Sequence, residues 1–156
     1  MRAGQTVRRR AGRTALCWLL PLLALALAVR QWVCMPTLIS GESMQPTLRA
    51  GQLAWINKLA YRSRPPQRFE IVVVRTPQQW IVKRVLGLPG EEIAFRDGVC
   101  YINGRPLAEP YVQFAGTDTT APGRLASDHY LVAGDYRASS MIAVISRERI
   151  VGRLAF

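Results

Sequence analysis

The sequence has a single histidine, His129, and two lysines, Lys58 and Lys83, against 19 arginines. One histidine excludes a histidine-rich metal centre and leaves any Ser-His-Asp triad resting on that residue alone. His129 opens an apolar strand pattern, Asp128-His129-Tyr130-Leu131-Val132, with no cluster of partners, so it reads as structural and no metal site is expected. Cysteine amounts to Cys17, Cys34 and Cys100, without CxxC or metal-type spacing. The cysteines read as small hydrophobes, with a Cys34–Cys100 bridge left open. No internal repeat or low-complexity tract is visible, and helical periodicity is scarce past residue 36.

Acid is scarce as well. The formal net charge is +11. Five arginines and no acid lie in the first 13 residues, whereas from Met35 onward 13 Arg and 2 Lys face 10 acids. The domain has no basic run interleaved with aromatics, so the charge reads as a solvated basic surface and no nucleic-acid partner is expected.

One apolar run stands out. Residues 15–29 read ALCWLLPLLALALAV and carry no charge. A hydrocarbon span needs about 20 residues. Trp32 and Val33 extend the run, Arg30 can snorkel, and Pro21 is tolerated in such a helix. The expectation is a basic arm over residues 1–14 and a single-pass transmembrane anchor over 15–33 in the lipid bilayer. The arginines put the N-terminus in the cytoplasm and residues 35–156 on the outer face. A cleavable signal peptide shares these features, with Ala26-Leu27-Ala28 as a small-x-small site; the uncleaved anchor is the preferred reading.

Strands are predicted over 53–57, 69–75, 80–86, 92–95, 99–102, 129–133, 141–146 and 150–154. Asp97-Gly98 and Asn103-Gly104 are hairpin turns, making residues 92–107 a three-stranded meander. Residues 59–67 and 113–127 read as loops. Ile71-Val72-Val73-Val74 is apolar at successive positions, so that strand is buried on both faces. The class is mostly β.

Two segments could carry chemistry. Ser40-Gly41-Glu42-Ser43-Met44-Gln45-Pro46-Thr47-Leu48 places a serine in a turn. Ile81-Val82-Lys83-Arg84-Val85 places a lysine in an apolar strand, within a chain that otherwise prefers arginine. Burial can lower a lysine's pKa until it is a neutral base, whereas arginine stays protonated. The pattern alone leaves open whether Lys83 points inward or out to solvent. A serine nucleophile needs a base, and with no usable histidine a Ser–Lys dyad is the alternative.

SGESMQPTL resembles the nucleophile box of type I signal peptidases, and IVKRVLGLPGEEI resembles their lysine box. YINGRPLAEPYV is similar to the family hairpin, and YLVAGDYRASS to the third box. The resemblance covers about three quarters of the chain. It implies an antiparallel β-sheet catalytic domain at the outer face of the bacterial cytoplasmic membrane, cutting signal peptides from exported preproteins after Ala-x-Ala. It implies Ser43 as nucleophile and Lys83 as general base. The Ser43 N–H would serve the oxyanion hole, Ser140 would orient Lys83, and Asp135 and Arg137 would support the site. Ile39, Met44, Leu48, Ile81 and Val82 would line shallow substrate pockets. No metal or organic cofactor is implied.

The chain departs from the family in several places. Gly41 stands where Gram-negative members often have serine, and Phe69-Glu70 where Gly-Asp is usual. Gly134-Asp135-Tyr136-Arg137 replaces Gly-Asp-Asn-Arg, and the Asp-Ser-Arg that should follow Ser140 is missing. Two rival readings remain: a silent membrane scaffold on the same fold, and a self-cleaving repressor-type Ser–Lys peptidase. The latter carries a DNA-binding module where this chain has an apolar run.

Overall fold

The computed structural model describes residues 18–19, 21–27 and 33–156. Eleven strands lie within them: β1 (Cys34–Leu38), β2 (Leu53–Asn57), β3 (Ile71–Arg75), β4 (Trp80–Gly87), β5 (Glu92–Arg96), β6 (Val99–Ile102), β7 (Arg105–Pro106), β8 (Thr120–Arg124), β9 (His129–Ala133), β10 (Ala143–Ser146) and β11 (Ile150–Ala155). They form a seven-stranded sheet, β1-β2-β11-β3-β4-β9-β10, and a four-stranded sheet, β7-β6-β5-β8. All pairings are antiparallel.

β3 organises the core because its β-branched residues suit a strand covered on both sides. Ile71 and Val73 pack with Ile39, Met44, Leu48 and Ile56 on one face. Val72 and Val74 pack with Val85, Val132, Ile145 and Ile150 on the other. A third cluster, including Leu86, Phe95, Cys100 and Leu131, joins the two sheets. The meander turns as expected: Asp97, Gly98, Asn103 and Gly104 all take positive φ.

Four expectations need correction. Residues 113–127 are not all loop: β8 lies inside them and pairs with β5 at Ile93↔Gly123 and Phe95↔Thr120. Its Thr-Ala-Pro-Gly-Arg composition hid it, since proline and glycine are tolerated on an exposed edge strand. β1 was not anticipated for the same reason, as Pro36 sits in an edge strand. β3 begins at Ile71 instead of residue 69, because Phe69 has φ 69° and leaves the extended region. β10 begins at Ala143, two residues later than expected.

Cys34 and Cys100 are free thiols, so no bridge joins them; Cys100 is buried and Cys34 half-buried. Residues 18–19 and 21–27 are helical and exposed. Among the described residues no helix is long and apolar enough to cross a membrane. The arm at 1–14, and all of the 15–33 anchor except residues 18–19, 21–27 and 33, lie outside the described residues.

Candidate active site

β4 positions the lysine. It pairs with β3 at Val72↔Lys83, Val73↔Val82 and Val74↔Ile81. Because side chains alternate across a strand, Lys83 falls on the face of Val72 and Val74, inside apolar surroundings. It is only 5% exposed. Its Nζ donates to Ser140 Oγ at 2.8 Å. Burial pushes the Lys83 amine below the ordinary lysine value, against the opposing pull of the Asp135 carboxylate. The question left open by the sequence pattern is thereby answered: Lys83 points inward.

Ser43 sits half-buried in the turn that follows β1. Its carbonyl accepts the Tyr136 N–H at 3.1 Å, which ties the turn to the segment after β9. Gly134 makes that approach feasible. A Cβ there would lie 2.2 Å from Ser43 O and 2.1 Å from Ser140 Oγ, closer than any side chain allows. One glycine thus holds the serine turn and the lysine's hydrogen-bond partner against each other.

Ser43 and Lys83 line one groove of about 500 Å³, together with Ile39, Met44, Ile81 and Val82. Ile39 and Met44 are mostly buried and form its floor, being 5% and 2% exposed. Leu48 corrects the expected set. It is wholly buried in the Ile39–Met44 cluster and faces the core instead of the groove.

Asp135 is fully buried and bidentate with Arg84: Nε reaches Oδ1 at 2.8 Å and Nη2 reaches Oδ2 at 2.5 Å. Thr47, four residues past Ser43, also donates to Asp135. Arg84 further donates to Phe69 O at 2.9 Å and lies 4.0 Å from the Tyr111 ring centroid. Asp135 therefore clamps the serine turn to β4. Arg137 makes a separate buried pair. Its Nη1 reaches Glu109 Oε2 at 3.0 Å and its Nε reaches Gly134 O at 3.0 Å, while the Tyr111 hydroxyl donates to Glu109 at 2.6 Å.

Arg84, Thr47, Glu109 and Tyr111 escaped the sequence reading. Arg84 had a signal: a second cation in the same apolar strand also requires a buried acid, and Asp135 supplies it. Nothing in a single sequence marks Glu109 or Tyr111 beyond their place in the hairpin motif. A hydroxyl and a desolvated amine in one groove, with no imidazole beside them, make an arrangement suited to acyl transfer.

Comparison with known proteins finds one family. The family model "Signal peptidase, peptidase S26" matches residues 12–156. The chain is 34% identical over 141 residues to probable signal peptidase I-2 of Synechocystis, covering 83% of this chain and 65% of that protein, about two thirds of its length. It is 32% identical to signal peptidase I of Bacillus caldolyticus, covering 89% of this chain and 86% of that one. It is 34% identical to signal peptidase I T of Bacillus subtilis, covering 85% and 77%. A solved signal peptidase I from Enterococcus faecalis aligns with 59% of this chain and 98% of that chain, at 28% identity and a TM-score of 0.49.

Proposed function

The chain belongs to the signal peptidase family, peptidase S26, and from that premise we propose that it is a membrane-bound serine endopeptidase that removes signal peptides from exported preproteins. The observation that carries this reading is the buried Lys83 amine, which donates to Ser140 and shares a groove with Ser43.

In the proposed mechanism Ser43 Oγ attacks the scissile carbonyl while Lys83 Nζ takes its proton. The negative oxygen of the tetrahedral intermediate is held by the Ser43 N–H. Lys83 then gives the proton to the leaving amine, the C–N bond breaks, and an acyl-serine ester remains. Water, deprotonated by the same amine, releases the signal peptide and restores the serine. Ser140 keeps the amine aimed.

The substrate would lie extended beside β4. That strand pairs with β9 only at Arg84, Val85 and Gly87, so on that edge residues 80–83 have no strand partner among the described residues. An added peptide strand can use such an edge. Small side chains before the cut suit the shallow floor at Ile39, Met44 and Val82, which favours Ala-x-Ala. The apolar run at 15–29 and its basic flank support an anchor that holds this domain at the outer face of the bacterial cytoplasmic membrane, near its substrates.

The test uses detergent-solubilised full chain and a preprotein with an Ala-x-Ala site. Wild type should cut after the second alanine and Ser43→Ala should not. If neither cuts while both are folded, a silent scaffold becomes the better reading.

A further inference from the structure

A second concavity opens off the same lysine. It is a trough of about 460 Å³ on the opposite face of β4 from the Ile39–Met44 floor. Its floor is apolar, with Val74, Ile81, Val132 and Ile145 drawn from the second core cluster. Lys83 and Met141 line both the groove and the trough. Arg75 and Arg149 line it as well, both exposed, and neither has an ion-pair partner among the described residues. No carboxylate lines the trough. Neighbouring Glu148 is turned to Ser146 Oγ at 3.4 Å.

Strand geometry says what such a pair of concavities receives. The free edge of β4 at 80–83 lies between them: Val73 and Val82 lie on the groove face of the sheet and Val74 on the trough face, while Ile81 and Lys83 share the face of Val74 and border both concavities. A peptide extended along that edge sends alternate side chains to opposite faces. If the first and third residues before the cut enter the groove, the second and fourth enter the trough. Register then fixes the charge. For a peptide running parallel to β4 with the bond to be cut level with Lys83, the first residue before the cut lies beside Val82 on the groove face, the second beside Ile81, and the third beside Trp80, whose partner is Arg75. Three residues of strand span about 10 Å, so the fourth residue before the cut arrives beside Gln79, which lines the trough together with Arg75.

We propose that this trough takes the second and fourth residues before the cut, and that Arg75 and Arg149 select a carboxylate at the fourth. The proposal rests on the peptidase reading above and adds a preference from this chain's own arginines.

The test compares two otherwise identical Ala-x-Ala preproteins carrying Glu or Gln at the fourth residue before the cut. Wild type should prefer Glu by about fivefold in kcat/KM at low salt, the size expected of exposed ion pairs. About 0.5 M salt should shrink the ratio through screening. In the Arg75→Gln/Arg149→Gln double variant the ratio should fall to about 1, and the Arg75→Glu/Arg149→Glu double variant should invert it. Because each ratio is taken within one enzyme, a general loss of activity does not mimic the effect. Equal cleavage of both substrates by wild type overturns the trough assignment and leaves the peptidase reading intact. Failure of folded wild type to cut either substrate sinks both.

Discussion

Replacing Gly134 with alanine adds one methyl group where the site has no room for it. The new Cβ would sit 2.2 Å from Ser43 O and 2.1 Å from Ser140 Oγ. Contacts below about 3.4 Å are already tight in a close-packed interior, so both neighbours must retreat by about 1 Å. One retreat moves the backbone that carries the nucleophile, and the other pulls Ser140 away from Lys83 Nζ, now 2.8 Å off. A misplacement of 1 Å costs on the order of 100-fold in rate, while overpacking costs about 1–3 kcal/mol of stability. Gly134→Ala should therefore lose about 100-fold or more in kcat yet still unfold cooperatively. Initial rates on an Ala-x-Ala preprotein, with a urea melt on the same sample, separate the two effects. A folded Gly134→Ala protein within twofold of wild-type kcat would refute the argument that this glycine sets the dyad's spacing.

Three further outcomes follow from named contacts. Burial holds the Lys83 pKa down, so the charged form is disfavoured in the fold; that cost is complete below the folded pKa and fades as pH rises through the unfolded one. Lys83→Met should accordingly melt higher than wild type at neutral pH while losing cleavage, and the wild-type rate should fall as pH drops through the folded pKa; a lower melting point or a flat pH–rate profile would contradict this. Phe69 has a left-handed backbone at φ 69°, so Phe69→Gly should be more stable than Phe69→Ala by about 1 kcal/mol, the reverse of the usual order, as compared by urea midpoints. Asp135→Asn leaves Arg84 buried without its carboxylate, and the urea midpoint should report a loss of about 3 kcal/mol, the size seen when one partner of a buried pair is removed.

The strands that were legible in the sequence were those whose side chains meet a core. β2, β6 and β9 fall at the expected residues because their apolar patterns report burial. β1 and β8 were not legible, since an edge strand can carry Pro36 or Pro122, with side chains mostly half-buried in β1 and exposed in β8. Phe69 shows a related limit: its φ of 69° lies where glycine is favoured, and an aromatic at that position hides the signal. At the site, Ser43 and Lys83 were marked by chemistry, in that a serine needs a base and a lysine in an apolar strand needs a reason, whereas Ser140 was marked only by the resemblance of its segment to the family's third box. Arg84 was passed over because it stood beside the more unusual lysine. Leu48 was misplaced because a residue near the nucleophile in sequence can still face the core.

The account depends most on the proton affinity of Lys83, and the composition makes this measurable. The chain has two lysines, so lysine-selective 15N labelling of the detergent-solubilised Ser43→Ala protein yields two side-chain signals, and Lys83→Arg assigns them by removing one. The account predicts that Lys83 titrates clearly below the ordinary lysine value of about 10.4. A Lys83 signal titrating at or above that value would contradict its role as the neutral base.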